Sequence, residues 1–489
     1  MSLELLISIL STIFFLVIFW LVKIISTAKK AINTIFDGLS ILLDKELDDR
    51  EKEINIKNTG LLLIKISLEI LAKIFISILI ALIPIFLADY FNYINKEATF
   101  DFIFSWKYIL TTTIIIFIFL NIYKKKNSLS TTKISDSNQY SPAEKFIHRL
   151  VFFSPKVLKK ISKFEDAYFS RINDIDINQP IFITSLARGG TTALLNVISE
   201  LPNIVTHTYQ HMPLITSPII WEKLKMFKKK EITDYERAHG DGIKINLNSP
   251  EAFEEIIWKL SYPEKFLSHH ITLFETKDLN NHKELFFINH IKKMILLKGS
   301  KINNNNLNNI RYCSKNNGNI ARIPLLLKLF PDSKIVVPIR RPECHAKSLL
   351  NQHINFSNLQ NKDNFIRQYM EDICHFDFGL IHKTINFPNF IKEAYDINTS
   401  NYWLNYWIYA FKYIMQFKKN CIFIPQDDLR GSPNKTIKNL LSDLNLFSDI
   451  KAFDSYFIQK LDNAEISDFS KDLYRDATDV YLNIIEQGN

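Results

Sequence analysis

The first 125 positions are dominated by long apolar runs. Leu5 to Val22 contains 18 residues without a charge, which as a helix meets the length needed to cross a hydrocarbon core of ~30 Å. No basic region precedes this run and no small-residue cleavage site follows it, so a retained span fits better than a cleaved signal peptide. A second run lies at about 70 to 91, with its uncharged centre from Ile74 to Ala88, and a third at about 108 to 123. Lys65, Glu69 and Lys73 recur every four residues and share one helical face, where they can pair. Trp20, Tyr90, Tyr93, Trp106 and Tyr123 sit near the ends of the runs, as interfacial aromatic belts do. The pattern predicts a membrane region over 1–125 with three transmembrane helices; buried or re-entrant helices are the alternative for the two later runs.

The pattern then changes. Residues 126–145 are rich in Ser, Thr and Asn and poor in apolar residues, so they read as a linker. From 146 to 489 apolar runs of strand length alternate with helical patterns. Strands are expected at Pro180–Thr184, Ile295–Leu297, Ile335–Val337 and Cys421–Ile424, and helices at Thr191–Leu201 and about 434–446. Buried strands alternating with helices predict an α/β domain built on a parallel sheet. Tyr402, Trp403, Tyr406, Trp407, Tyr409 and Phe411 have helical spacing and read as core.

Charge adds an orientation. The stretch after the first run carries Lys23, Lys29, Lys30, Lys45, Arg50, Lys52 and Lys57, and Lys124-Lys125-Lys126 follow the third. The positive-inside rule places both on the cytoplasmic side. Everything after residue 124 is then cytoplasmic on an integral membrane protein, a bacterial inner membrane being the expected setting. These lysines also account for part of the formal charge of +9, as juxtamembrane clusters that attract anionic lipid, so nucleic acid is not an expected partner. The four cysteines show no zinc-type spacing, and no metal is expected.

Glycine is scarce, with 11 in 489 residues, and Gly189-Gly190 is the one adjacent pair. It sits in PIFITSLARGGTTALLNVISEL, between a strand and a helix. Two glycines permit positive φ and close backbone approach to a ligand. The helix N-terminus offers free N–H groups, Thr191 and Thr192 add hydroxyls, and Arg188 adds a forked cation. The result is a cradle for phosphate or sulfate, or else an ordinary tight turn. It is not a Walker A loop, since the four-residue spacer and the lysine are missing. A second strand-to-helix segment, SKIVVPIRRPECHAKSLL, delivers Arg340 at a strand end and Ser348 about two turns into the next helix. Ligands of open α/β sheets bind at such carboxyl ends.

Arg-Gly-Gly-Thr-Thr after one strand, with Arg340 and Ser348 eight residues apart after another, resembles the two nucleotide motifs of sulfotransferases that use 3′-phosphoadenosine 5′-phosphosulfate. Segments 209–213 (YQHMP), 236–242 (ERAHGDG), 312–324 (YCSKNNGNIARIP) and 369–379 (YMEDICHFDFG) look like the bacterial branch of that superfamily. The first motif commonly reads Arg-Ser-Gly-Thr-Thr, so Gly189 departs from it. The resemblance spans about 180 to 450 and leaves out the membrane region. It implies a three-layer parallel sheet of P-loop nucleotide-binding type, with the phosphosulfate donor as co-substrate.

The resemblance also implies roles. Arg188, Gly189, Gly190, Thr191 and Thr192 would hold the 5′-phosphosulfate, and Arg340 and Ser348 the 3′-phosphate. Arg188 and Lys315 would counter charge on the transferring group, although Lys315 also reads as a solvated loop lysine. The branch often places an aspartate where this chain has His211, which makes His211 the candidate base for the acceptor hydroxyl. His239 and Asp241 are the runner-up pair. Glu254 and Glu255 read as a solvated helix face, with binding of acceptor hydroxyls as the functional alternative. The acceptor class favoured is a carbohydrate or lipid-linked glycan beside a lipid bilayer. A kinase or NTPase of the same fold group and a non-catalytic membrane scaffold are the competing functions.

Overall fold

The computed structural model describes residues 3–43, 48–108, 110–112, 145, 148–149, 151–152, 154–212, 214–225, 235–236, 244–302, 306–448, 450, 452–457 and 464–487. Contacts divide the chain into two compact units, Met1–Phe153 and Ser154–Asn489. Most of the expected third run, the linker, and His239 with Asp241 lie outside the described residues.

The first unit contains α1 (Leu3–Leu21), α2 (Ile24–Leu43), α3 (Asp49–Tyr90) and α4 (Lys96–Phe104). Most described residues of the basic stretch expected to connect the first two runs are therefore helical, in α2 and the first part of α3. Helix α3 runs for 42 residues, is capped by Asp48, whose side chain accepts from the Glu51 N–H, and holds Pro84 inside. Among the described residues it is the one helix long and apolar enough to cross a membrane, with Leu3–Phe19 as a shorter apolar stretch. Lys73 pairs with Glu69 at 2.6 Å, as their spacing predicts, and donates to Thr27 Oγ1 of α2 at 2.7 Å.

The second unit opens with α5 (Pro155–Tyr168), β1 (Ile181–Ile183), α6 (Thr191–Ser199), β2 (Ile204–Val205) and α7 (Pro218–Lys225). A small antiparallel pair follows, β3 (Tyr235–Glu236) with β4 (Lys244–Ile245). Next come α8 (Glu254–Ser261), β5 (His270–Ile271), α9 (Asn281–Lys301), β6 (Arg311–Lys315), α10 (Ile323–Leu329), β7 (Lys334–Ile339), α11 (Pro342–Lys362), α12 (Asn364–Asp372) and β8 (Thr384–Ile385). The unit ends with α13 (Ser400–Ile414), β9 (Cys421–Pro425), α14 (Gln426–Gly431), α15 (Pro433–Asp443) and α16 (Lys471–Gln487).

Five strands form one parallel sheet in the order β2-β6-β1-β7-β9. All three residues of β1 are fully buried, as expected of a parallel strand covered on both faces. Ile181 and Ile183 face α6 and α15 through Leu194, Leu195, Ile198, Ile437 and Leu440. Phe182 faces the other way, against Tyr312 and Phe330, and Phe330 in turn meets Phe287 of α9. This is the three-layer α/β architecture expected, with helices on both faces of the sheet. The helix over 400–414 buries Tyr402, Trp403, Tyr406, Trp407 and Phe411 as core.

One expected strand is absent. Ile295-Leu296-Leu297 belongs to α9, a 21-residue helix capped by Asn280. An apolar triplet does not distinguish a strand from a buried helix; here the helix is buried on several sides, and even Lys293 on it is fully buried. Lys293 Nζ lies 3.2 Å from Glu165 and 2.9 Å from Asp166, and it donates to Ser162 Oγ and to the Thr216 carbonyl. Glu165 also accepts from the Ile220 N–H at 2.6 Å, so the cluster clamps α5 and α7 to α9. Removing one member leaves the other charge buried without compensation. Lys293→Ala is expected to cost about 3–5 kcal/mol. Lys293→Met combined with Glu165→Gln should cost less, and denaturant unfolding of the full chain measures both.

Candidate active site

All five strands of the main sheet point the same way, so the segments leaving their carboxyl ends line one edge. In spatial order these are 206–211 after β2, Lys315–Asn317 at β6, 184–190 after β1, Arg340 after β7 and Gln426-Asp427 after β9. The ladder pairs Ile183 with Lys315, and the Asn316 N–H donates to the Ile183 carbonyl at 3.0 Å. Lys315 therefore stands one strand, about 4.8 Å, from the first position of the glycine loop. It is not a solvated loop lysine: it ends a buried strand and is 12% exposed.

Residues 184–190 fold tightly, with the Gly189 N–H donating to the Leu186 carbonyl at 3.2 Å. Positive φ falls on Arg188 (68°) and Gly190 (101°), not on both glycines. For arginine this left-handed conformation costs roughly 1–2 kcal/mol. Gly189 is required by space instead. A Cβ there would meet Ser185 Oγ at 2.9 Å, the Leu186 carbonyl at 3.0 Å and His345 at 3.2 Å. Gly190 is the N-cap of α6, and no side chain caps that helix. Its first N–H groups, with Thr191 and Thr192 in the first turn, leave a positively polarised helix start of the kind that suits an anion.

The second motif closes on the first. Arg188 Nε donates to Ser348 Oγ at 3.3 Å, and Arg340 Nη1 donates to the Arg188 carbonyl at 3.2 Å. The neighbouring arginines divide their work: Arg341 turns toward β9 and pairs with Asp427 at 3.0 Å. His345 braces the loop. Its Nδ1 accepts from Trp407 Nε1–H at 3.1 Å, which leaves Nε2–H to donate to the Ala187 carbonyl at 2.8 Å. Burial pushes its pKa down to about 3, with the Arg340 charge acting in the same direction.

His211 lies in a short 3₁₀ turn after β2, two strands from the loop, and is 3% exposed. Its Nδ1 accepts from the Thr208 N–H at 2.9 Å. The lone pair of the neutral ring is then engaged and Nε2 carries the proton. Its neighbour His207 meets His290 at 2.7 Å between Nε2 atoms, and burial depresses the pKa of both, that of His207 to about 3.

Glu254 and Glu255 are buried, against the expectation of a solvated face. Glu255 forms a two-bond pair with Arg322 at 2.7 and 2.8 Å and accepts from Asn316 Nδ2 at 2.8 Å. Glu254 accepts from Tyr312 OH, Trp258 Nε1 and Asn319 Nδ2. Both carboxylates thus shape the 316–322 turn beside Lys315. Gly318 backs onto this pair so closely that a Cβ would fall 2.5 Å from Glu255 Oε2. The sequence reading also missed Glu251, which lies 3.8 Å from Lys315 Nζ; no spacing rule marks a lone Pro-Glu in a loop. No group of three His, Cys, Asp or Glu among the described residues could hold a metal ion.

Residues 180–385 match the sequence model of the sulfotransferase family. No curated protein matches the chain. Among solved structures it is similar to sulfotransferase STF1 from Mycobacterium tuberculosis H37Rv, at 13% identity over 62% of this chain and 77% of that one, with a TM-score of 0.38. It is similar to sulfotransferase STF9 from Mycobacterium avium at 10% identity, over 74% of this chain and 94% of that one, with a TM-score of 0.41.

The buried histidines set a pH limit. His207 and His345 are pushed down to about 3 and His353 and His382 to about 4, each chiefly by burial. The unfolded chain binds protons near the ordinary value of ~6.5, and the folded chain does not. Their stabilising contribution is complete above ~6.5 and is lost as pH falls toward 4. The denaturant midpoint of the full chain should fall across this window with a slope of more than one proton. A flat midpoint from pH 7 to pH 4.5 would contradict the neutral buried assignment.

Proposed function

We propose that this chain is a membrane-anchored sulfotransferase. It moves a sulfuryl group from 3′-phosphoadenosine 5′-phosphosulfate to an acceptor hydroxyl, on a carbohydrate or lipid-linked glycan. The observation that carries the reading is the union of two anion sites: Arg188 and the uncapped start of α6 meet Arg340 and Ser348 across the ends of β1 and β7. A ligand with phosphates at both ends suits such a pair.

In this reading Arg188 and the 189–192 amides hold the 5′-phosphosulfate, and Arg340 with Ser348 holds the 3′-phosphate. Lys315 approaches the transferring group from the opposite side of β1. Among the described residues its ammonium has an ion-pair contact to Glu251 and no hydrogen-bond partner, so its donors suit an anionic ligand. Transfer breaks the sulfur–oxygen bond to phosphate and forms one to the acceptor, leaving adenosine 3′,5′-bisphosphate. Fixed cations aimed at the developing charge supply most of such a rate enhancement. His211 takes the acceptor proton at Nδ1, which requires the Thr208 bond to open.

Apolar side chains of α3 support the anchor: Leu68, Leu71 and Phe75 are more than 60% exposed, as lipid-facing residues are. Lysine placement supports a cytoplasmic catalytic unit; labelling of cysteines introduced after residue 130 from outside intact cells would overturn that orientation.

Adenosine 3′,5′-bisphosphate should bind the full chain. Arg188→Ala or Arg340→Ala should weaken it about 10- to 100-fold, the worth of a charge-assisted contact. Calorimetric titration reads the change. Unimpaired binding by the double variant removes the site assignment, and no binding by the wild-type chain removes the donor.

A further inference from the structure

The chain of contacts Tyr209–Glu251–Lys315 enters the reading above only at its lysine end. Segment 246–251 is stitched by backbone bonds onto the loop that follows β2. The Tyr209 N–H donates to the Ser249 carbonyl at 3.2 Å, Gln210 N–H to Leu247 at 2.8 Å and Glu251 N–H to His207 at 3.0 Å. The backbone of Glu251 is thereby fixed beside the carboxyl edge of the sheet.

Its carboxylate meets Tyr209, Ala252 and Lys315 among the described residues. Oε2 accepts from the Tyr209 hydroxyl at 2.6 Å, Oε1 accepts from the Ala252 N–H at 2.7 Å, and Oε1 stands 3.8 Å from Lys315 Nζ. The last distance is close enough for attraction and too long for a hydrogen bond. The two short bonds engage both oxygens and fix the carboxylate short of hydrogen-bond distance from the lysine. Glu251 is 16% exposed and Lys315 12% exposed, so both border the crevice without being sealed from it.

We propose that Tyr209 restrains Glu251 from closing on Lys315, which leaves the ammonium donors for the sulfuryl-bearing end of the donor. Tyr209 and Glu251 are positioning residues that act through Lys315. The inference rests on the phosphosulfate reading of the site. Its physical basis is competition: a carboxylate free to move from 3.8 Å to hydrogen-bond distance gains Coulomb attraction and engages the donors a ligand would use. The hydroxyl of Tyr209 sits at the far end of this chain, yet it controls how much of the lysine is left for the anion.

Two variants and their combination test the proposal in the full chain. The Tyr209 ring packs edge-on to Phe253 at 5.6 Å, a contact that Tyr209→Phe keeps. Binding of 3′-phosphoadenosine 5′-phosphosulfate is measured by titration without acceptor, beside adenosine 3′,5′-bisphosphate. Tyr209→Phe should weaken the donor about tenfold, from the Coulomb difference at intermediate dielectric, and the product less. Glu251→Gln should bind the donor at least as well as wild type. Adding Glu251→Gln to Tyr209→Phe should restore donor binding, which a general packing defect would not do. Unchanged donor affinity in Tyr209→Phe, or additive losses in the double variant, overturns the proposal. If the wild-type chain binds the donor and Arg188→Ala abolishes it while Tyr209→Phe changes nothing, the restraint fails and the site stands. If the wild-type chain binds no donor, both fall.

Discussion

The second unit depends on one junction: Arg340 donating to the Arg188 carbonyl while Arg188 reaches Ser348. A parallel sheet places strand ends side by side but does not join the loops that leave them. This junction does, and it takes its acceptor from the carbonyl of a residue in left-handed conformation. The positive φ of Arg188 is maintained from both directions. Arg340 and Ser348 hold it through its carbonyl and side chain, and His345, itself fixed by Trp407, holds the neighbouring Ala187 carbonyl. Strain of this kind persists only where neighbours over-determine it.

Much of this was readable from the residues. The run Pro180–Thr184, the glycine pair and the helix after it agree at every level: buried β-branched residues, a turn requiring glycine, then good helix formers. The same holds for Ile335–Val337 and Cys421–Ile424. Ile295–Leu297 misled because three apolar residues carry no period, while the Asn280 cap that settles the matter lies fifteen residues upstream. Arg188, Arg340 and Ser348 could be picked out as candidates because each follows a strand at a fixed offset, and the structure brings the three together.

What was not legible is tertiary. Glu254 and Glu255 look like a solvated helix face until Arg322, far along the chain, is known to come back to them. His345 looks idle until Trp407 selects its tautomer. Glu251 carries no motif, and only the backbone stitching of 246–251 to 207–211 brings it to Lys315. In each case a polar side chain takes its meaning from a partner on a different element, which local pattern does not encode. Gly189 shows the same limit: its need for glycine comes from Ser185 and His345 crowding the Cβ position, not from φ.

The contacts that build the site span long stretches of chain. Arg188 and Ser348 are 160 residues apart, Arg340 and Arg188 are 152 apart, and Glu255 and Arg322 are 67 apart. Closing loops of such length is entropically costly and comes late in folding. During synthesis the loop at 184–190 emerges long before the segments that brace it. The glycine turn must wait, with its buried strand unpaired on the β7 side, until β7 and α11 have been made. The braced loop is thus among the last features to form, and its appearance marks completion of the fold.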